Sequence, residues 1–297
     1  MNFFSRLLYY GVLVPISLLP YRILYFLSDI TFVLVFYVVR YRQKLVLRNI
    51  QRSFPEKSAK EHYQISRAFY RHFCDIVVES FKNFTVSKEE VLKRMVLKNP
   101  EVLTPYVQRN QSIIIAGGHY NNWELFAVAI GPQLKHQPIA IYRKLKNAYM
   151  DRKMRESRSK YGLKMISTKV VKEEFAAEKN NLTATIFGFD QTPRRLSSFW
   201  MMFLNQETPV FMGTERYAKE YNYPIVFGRI TKVKRGYYEF TFHPVNDEPR
   251  KAGEGEIMAT LMRRLERDIQ EAPPYWLWTH KRWKHKRAAD IPLDTDM

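Results

Sequence analysis

Apolar residues are concentrated at the N-terminus of the chain, in two runs over residues 7–19 and 23–39. The second run is near the lower limit of the ~20 residues that a helix needs to cross a bilayer. No small-residue cleavage site of the Ala-x-Ala type follows it. We therefore predict an uncleaved membrane anchor over residues 1–40, which spans the bilayer once or lies on its surface as two helices. The alternative is an apolar helical hairpin packed on the following domain.

Basic residues follow directly after these runs, at Arg40, Arg42, Lys44 and Arg48. By the positive-inside rule, this cluster places the following domain in the cytoplasm. We predict that this domain covers residues 41–290. The acidic end of the chain, residues 291–297, is predicted to be a disordered tail.

The rest of the chain alternates between strand-like and helical patterns. The predicted strands cover residues 112–116, 138–142, 183–187, 224–230 and 237–242. The predicted helices cover residues 56–84, 147–161, 210–221 and 255–269, with short helices starting after Ser87 and after Asn121 or Asn122. This order predicts an α/β fold with a mixed, largely parallel central sheet flanked by helices.

The stretch from Ser112 to Leu125 combines a buried strand, a glycine turn and a helix start. We expect Gly117 and Gly118 to adopt backbone angles that a side chain would forbid. Asn121 or Asn122 can cap the helix that begins next. The turn between this strand and the helix therefore carries any chemistry at the end of the strand.

His119 lies in that turn, and Glu124 falls in the first turn of the helix. Glu124 is close enough in sequence to accept a hydrogen bond from one imidazole nitrogen, which would leave the other nitrogen as a general base. A serine-hydrolase arrangement without its nucleophile implies that the substrate brings the hydroxyl or amine. The alternative is a loop histidine beside a helix-dipole glutamate. A metal site is not indicated, since no second histidine lies at helical spacing.

Two further strand ends carry polar residues: Arg143 after the second strand, and Asp190 with Gln191 after the third. Sites in α/β sheets are built at the carboxyl ends of strands, so Arg143 can bind a phosphate or polarise a carbonyl. Asp190 can pair with Arg143 and hold the loops around the acceptor. The alternatives are a surface cation and a simple turn. The basic helix over residues 147–161 faces either water or anionic lipid.

The composition of the chain limits the classes of binding partner that we expect. Of the 297 residues, 48 are Lys or Arg and 29 are Asp or Glu, which gives a net charge of +19. Such a charge favours nucleic acid, anionic lipid or an acidic protein. The apolar N-terminus and the lack of a recognition motif argue against nucleic acid. The single Cys74 fits a reducing compartment and is expected to be buried and structural. The sequence has no Gly-x-Ser-x-Gly elbow and no Walker loop, which disfavours a hydrolase or a nucleotide-binding protein.

Four motifs in order resemble a known family. They are Gly-x-His-x-x-Asn-Trp-Glu at residues 117–124, Tyr-Arg at 142–143, Asp-Gln at 190–191, and Trp-Thr-His-Lys-Arg-Trp-Lys at 278–284. Together they resemble the lysophospholipid acyltransferase-like superfamily and, within it, the bacterial lipid A late acyltransferases. The resemblance covers nearly the whole chain.

The resemblance implies a glycerolipid acyltransferase-like fold and a site in which His119 and Glu124 are catalytic. The substrate-binding residues would be Gly118, Asn122, Arg143, Asp190 and Gln191. The Gly117 and Gly118 amides or Arg143 are the candidate donors to an oxyanion. No metal or cofactor is implied.

The implied reaction moves a fatty acyl chain from an acyl carrier protein or acyl-CoA thioester to a hydroxyl of a lipid A precursor. The enzyme would lie at the bacterial inner membrane with its catalytic domain on the cytoplasmic face. Another acceptor remains open, such as an amino-acid lipid, a mannosylated lipid or a lysophospholipid. A basic nucleic-acid-binding protein is the distant alternative.

Two aromatic stretches carry further expectations. The resemblance implies that residues 199–204 line the acyl groove, and core packing is the alternative. Residues 273–284 mix indoles with cations, a composition that suits a membrane interface.

Overall fold

A seven-stranded sheet runs through the centre of the molecule in a computed structural model, which describes residues 2–193 and 199–294. The strands are β1 (Met95–Leu97), β2 (Ile113–Gly117), β3 (Gln137–Tyr142), β4 (Lys164–Ser167), β5 (Thr183–Gly188), β6 (Trp200–Phe203), β7 (Gln206–Pro209), β8 (Ile225–Lys234) and β9 (Tyr237–Asn246). Strands β6 and β7 form a separate antiparallel pair.

The order across the main sheet is β1-β9-β8-β2-β5-β3-β4. Strands β8 and β9 pair antiparallel, and every other neighbouring pair is parallel. The predicted mixed, largely parallel sheet is therefore confirmed. Because β2, β5 and β3 are adjacent and parallel, their carboxyl ends meet at one edge of the sheet.

Helices cover both faces of the sheet. They are α1 (Asn2–Leu8), α2 (Val14–Leu18), α3 (Tyr21–Val33), α4 (Gln43–Ser53), α5 (Ala59–Lys82), α6 (Lys88–Arg94), α7 (Thr104–Gln108), α8 (Trp123–Ala129), α9 (Ala148–Ser159), α10 (Val171–Glu178), α11 (Gly213–Tyr221) and α12 (Glu256–Glu271). Ser87 caps α6 by accepting from the Glu90 amide, as the sequence pattern predicted.

The central strand β2 is buried on both sides, because its side chains alternate between two apolar clusters. Ile114 and Ala116 join a cluster with residues of α4, α5, α11 and α12. Ile113 and Ile115 join a second cluster with residues of α8 and β9. The sheet edge that carries the candidate chemistry is thus held between two packed layers.

The N-terminal helices pack on the domain through one face. The helical segment Tyr21–Val38, in which a π-turn continues α3, is long and apolar enough to cross a membrane, with a mean hydropathy of 1.6. Only 22% of it is buried, where α3 lies against α5. The outer face leaves large side chains exposed, such as Phe4 at 80% and Phe26 at 65%. The segment is therefore docked on the domain and presents an apolar surface outward.

The C-terminal indoles differ from the sequence expectation. Trp276 and Trp278 are buried in the core, at 2% and 0% exposure, instead of lying at a membrane interface. The run at 199–204 also packs in the core, since Trp200, Phe203 and Leu204 are buried. Both outcomes follow from the large apolar area that an aromatic side chain removes from water.

Two smaller expectations fall near the core and the end of the chain. Cys74 is buried and unpaired, and burial raises the pKa of its thiol to about 12, so it is not a reactive thiolate. Within residues 291–297, which we expected to be disordered, Asp294 lies against β6, where its amide donates to the carbonyl of Trp200. Residues 295–297 lie outside the described part of the chain.

Candidate active site

His119 and Asp190 meet at the carboxyl edge of the sheet. His119 follows β2 and Asp190 follows β5, and these two strands pair in parallel up to Gly117 and Gly188. Nδ1 of His119 lies 2.7 Å from Oδ1 of Asp190. The backbone amide of His119 donates to Oδ2 at 2.9 Å. The strand register therefore brings together two residues that are far apart in sequence.

Asp190 is an ionised carboxylate held by three donors. Besides His119, the indole Nε1 of Trp276 donates to Oδ2 at 2.8 Å. Burial alone would raise the pKa of Asp190, but the charge of His119 and the hydrogen bonds from His119 and Trp276 lower it to about 2. Because Asp190 carries no proton, the hydrogen in the 2.7 Å contact belongs to Nδ1 of His119.

This tautomer leaves Nε2 of His119 as the basic nitrogen. The amide nitrogen of Gln191 lies 3.1 Å from Nε2 and donates to its lone pair. Burial lowers the pKa of His119, but the charge and hydrogen bond of Asp190 outweigh it, and the pKa lies above its ordinary value of 6.5. The side chain retains 25% of its surface exposed, so Nε2 belongs to an accessible base.

The predicted hydrogen bond between Glu124 and His119 is wrong. Glu124 turns towards α9, where both of its carboxylate oxygens accept from Arg158, at 3.0 and 2.6 Å. The bidentate fork of a guanidinium matches a carboxylate better than one imidazole N–H does. Glu124 remains close enough to raise the pKa of His119 by its charge, and Arg158 lowers it.

Glycine at the turn serves close packing, whereas we expected special backbone angles. Neither Gly117 nor Gly118 has a positive φ, and the left-handed residue of the turn is Asn121, at φ 55°. A Cβ on Gly118 would lie 2.8 Å from two side-chain atoms of Leu265 on α12. A side chain at Gly118 would force Leu265 to move, so glycine allows the backbone of the turn to pack closely on α12.

The predicted substrate contact of Asn122 does not fit its position. Asn122 is fully buried, and its Oδ1 accepts from the Leu125 amide at 2.8 Å, which makes it the N-cap of α8. Its amide nitrogen donates to Glu79 on α5. Asn122 therefore holds the start of α8 from below and does not face a substrate.

Arg143 lies at the end of β3. The pairing between Arg143 and Asp190 that we expected is not formed. Asp190 is occupied by His119 and Trp276, while Arg143 is exposed and has no hydrogen bond or ion pair with the described residues. The loop that carries Arg143 is fixed by Asp151 of α9, which accepts from the Leu145 amide at 2.8 Å. This loop presents exposed cations beside the site.

Sequence reasoning missed two residues of the site. Trp276, which binds Asp190, was interpreted only as an interfacial indole, and it lies two residues before the motif that begins at Trp278. Arg158 was one of several cations in a basic helix, and nothing in the local pattern distinguished it. Their partners are set by tertiary packing.

The arrangement can remove a proton from a bound hydroxyl, because it combines a basic histidine nitrogen with a carboxylate that stabilises the imidazolium. The guanidinium of Arg158 lies near enough to act on the pKa of His119, and exposed cations follow the neighbouring strand β3. Among the residues that the structure describes, no group of His, Cys, Asp or Glu side chains is arranged to hold a metal ion.

The chain matches known proteins over nearly its full length. The family model described as bacterial lipid A biosynthesis acyltransferase matches residues 2–285. The lipid A biosynthesis palmitoleoyltransferase of Escherichia coli (strain K12) is 24% identical over 280 residues, which cover 93% of this chain and 89% of that protein. The lipid A biosynthesis lauroyltransferase of the same organism is 24% identical over 286 residues, covering 95% and 92%. A lipid A biosynthesis acyltransferase of Shigella flexneri is 24% identical over 280 residues, covering 93% and 89%.

With the fold and the site, these matches define the class of protein: the chain is an acyltransferase. It belongs to the family of bacterial lipid A biosynthesis acyltransferases. The resemblance found in its motifs is confirmed.

Proposed function

We propose that this enzyme transfers a fatty acyl chain from a thioester donor to a hydroxyl of a lipid A precursor, with His119 as general base. The observation that carries the proposal is the 2.7 Å contact from Nδ1 of His119 to the ionised Asp190. In the neutral imidazole that contact places the hydrogen on Nδ1, so Nε2 is the nitrogen that can accept a proton. Asp190 acts as a positioning residue, and it replaces Glu124 in the role that we first expected for an acid.

The reaction takes place in two steps. The acceptor hydroxyl displaces the amide of Gln191 from Nε2 and gives its proton to His119 while its oxygen bonds to the thioester carbonyl carbon. The tetrahedral intermediate then collapses, the carbon–sulfur bond breaks, and the sulfur leaves with the proton from His119 as a thiol. Asp190 stabilises the imidazolium between the two steps. General-base catalysis of this type contributes roughly 10² to 10⁴ in rate.

Glu124 and Arg158 have a supporting role in the proposal. Glu124 occupies Nε and Nη2 of Arg158 and leaves Nη1 with no hydrogen bond to the described residues. A guanidinium fixed in this way can donate to the oxygen that becomes negative in the tetrahedral intermediate. The Gly118 amide is the second candidate donor, since it lies in the turn directly before His119.

The acceptor and its location fit the charges and apolar surfaces of the protein. Arg143, Lys144 and Lys146 are exposed on the loop after β3, where they can bind phosphates of a lipid headgroup. The N-terminal helices present their exposed apolar face to the bilayer, with the catalytic domain on the cytoplasmic face of the inner membrane. The net charge of +19 suits an acidic acyl carrier protein as donor, with acyl-CoA as the alternative.

The test is acyl transfer by purified membranes that contain the enzyme. Lauroyl, myristoyl, palmitoyl and palmitoleoyl groups are offered on acyl carrier protein or on coenzyme A, with a lipid A precursor or a lysophospholipid as acceptor. We expect product on the lipid A precursor and a loss of at least about 10²-fold in His119→Ala. His243→Ala is the matched control, because His243 bonds to Thr241 on its own strand and makes no hydrogen bond to His119. Transfer only to the lysophospholipid would contradict the proposed acceptor.

A further inference from the structure

Glu79 of α5 is a buried carboxylate to which the proposed reaction gives no task. It is 3% exposed, and it lies beneath the turn that carries His119. Its oxygens accept hydrogen bonds from three different parts of the chain. The position of this carboxylate therefore links elements that are distant in sequence.

The three donors come from α3, from β9 and from the turn of residues 118–122 that carries His119, which we call the catalytic turn. The hydroxyl of Tyr25 on α3 donates to Oε1 at 2.9 Å. The hydroxyl of Tyr238 on β9 donates to Oε2 at 2.9 Å. The amide nitrogen of Asn122 donates to the same Oε2. A buried carboxylate with three donors has its hydrogen-bonding capacity satisfied. Loss of any donor destabilises the protein, because the cost of removing the carboxylate from water is then only partly offset.

The bond to Asn122 controls how α8 begins. Because Oδ1 of Asn122 accepts from the Leu125 amide, only its nitrogen remains to face α5, and this nitrogen requires an acceptor. Glu79 supplies that acceptor. The first two residues of α8 line the site: Trp123 packs edge-on against His119 at 5.3 Å between ring centroids, and Glu124 holds Arg158.

The bond to Tyr25 brings the N-terminal helix into the same network. Helix α3 makes a second contact of the same kind with α5, where the hydroxyl of Ser28 donates to Asp75 at 2.7 Å. Asp75 bonds to Arg235 in the loop that joins β8 and β9. It makes no hydrogen bond to the catalytic turn among the described residues. Tyr25 and Ser28 are thus two hydroxyls on one helix, each bound to a carboxylate on α5, and only one of these carboxylates also holds the turn.

We propose that Glu79 is a positioning residue that connects the catalytic turn to the apolar helix α3. Helix α3 then helps to hold the active site in place and is not only an anchor. The proposal rests on the proposed role of His119 for its effect on turnover, but its structural part can be tested without any reaction.

The matched variants are Tyr25→Phe and Ser28→Ala, each of which removes one hydroxyl from α3. Tyr25→Phe leaves Oε1 of Glu79 without a donor, so we expect kcat to fall at least about fivefold with KM changed less than about twofold. Ser28→Ala leaves kcat at the wild-type value, because Asp75 does not hold the turn. Asn122→Ser retains an N-cap acceptor but loses the bond to Glu79, and we expect kcat to fall on the order of 10²-fold. Glu79→Gln restores most of the activity that Glu79→Leu loses, since its amide oxygen can still accept from Asn122.

The direct readout is fluorine NMR of the full-length protein labelled with 5-fluorotryptophan, in which Trp123→Phe assigns one of the five tryptophan signals. We expect the Trp123 signal to shift in Tyr25→Phe and Asn122→Ser and to stay in place in Ser28→Ala. An unshifted signal in both of the first two variants overturns the proposal, whatever their activity. A shifted signal together with full acyl transfer by His119→Ala leaves the link from α3 to the turn intact and overturns the proposed role of His119 instead.

Discussion

His119 donates from Nδ1 to a carboxylate that lies 71 residues further along the chain, Asp190, at 2.7 Å. The two residues meet because β2 and β5 pair in parallel and end at the same level of the sheet. The same carboxylate also accepts from the backbone of His119 and from Trp276, so its orientation is fixed from three sides. The acid that orients the histidine is therefore supplied by the sheet and not by the neighbouring helix.

Replacing Asp190 by asparagine should reduce turnover more than any change at Glu124. A neutral amide in place of the carboxylate cannot stabilise the imidazolium, so we expect kcat of Asp190→Asn to fall by about 10² to 10⁴. The pKa of His119 should also fall, because the charge of Asp190 raises it, and the acid limb of the kcat/KM profile should move to lower pH. The measurement is the pH profile of acyl transfer from about pH 5 to pH 9. Asp247→Asn is the control, since Asp247 also accepts from a buried side chain, Tyr106, away from the site.

The stability that Asp190 contributes should depend on pH in a defined direction. Its pKa is about 2 in the folded protein and 3.8 ordinarily, so its contribution is present above pH 3.8 and is lost as the pH falls through about 2. The pKa of His119 is raised, so the contribution of its protonated form is present below pH 6.5 and is lost as the pH rises through the folded value. Between pH 3.8 and the folded pKa of His119, we expect the unfolding free energy of wild type to exceed that of Asp190→Asn by about 2 to 3 kcal/mol. Denaturant titrations in detergent at several pH values measure it. A difference that does not change with pH would refute this assignment of charges.

Glu124 and Arg158 should act on His119 with opposite signs. Glu124 raises the pKa of His119, so Glu124→Gln should move the acid limb of the kcat/KM profile to lower pH. Arg158 lowers that pKa, so Arg158→Gln should move the acid limb to higher pH. The double variant should return it close to wild type, and the losses in kcat should be less than additive because the residues bind each other. Equal shifts of the same sign in both single variants would contradict this arrangement.

A methyl group at Gly188 should disturb the base directly. A Cβ built on Gly188 lies 3.1 Å from Cε1 of His119, which is tighter than ordinary contact. We expect Gly188→Ala to tilt the imidazole away from Asp190 and to reduce kcat roughly tenfold or more. Gly253→Ala is the control, since its Cβ meets only Oε2 of Glu256 at 3.5 Å. Steady-state rates of the two variants, with thermal unfolding to verify folding, decide the point.

The local part of the site could be predicted from sequence, because the pattern from Ser112 to Leu125 contains its own strand, turn and cap. The structure places β2, the capping Asn122 and α8 where that pattern puts them. The partner of His119 could not be predicted in the same way. Glu124 is near in sequence, but its carboxylate is taken by Arg158 from another helix, a contact that depends on tertiary packing.

The remaining errors have a similar cause. Asp190 was recognised as a residue at a strand end, but β5 lies between β2 and β3, so strand order alone allows either His119 or Arg143 as its neighbour. Its contacts with His119 and Trp276 are set by tertiary packing. Trp276 and Trp278 have a composition that suits a membrane interface, and their large apolar area is buried in the core instead. The glycine at 118 was expected for its backbone angle, but its neighbour Leu265 lies on the last long helix, beyond the reach of any local pattern.

The central claim is that the imidazole of His119 takes the proton from the acceptor hydroxyl. The most direct test is chemical rescue of His119→Gly by added imidazole in the acyl-transfer assay. We predict that His119→Gly loses at least about 10²-fold in kcat, and that imidazole restores part of it in proportion to the concentration of its neutral form. Turnover by His119→Gly at the wild-type rate without imidazole would contradict the account.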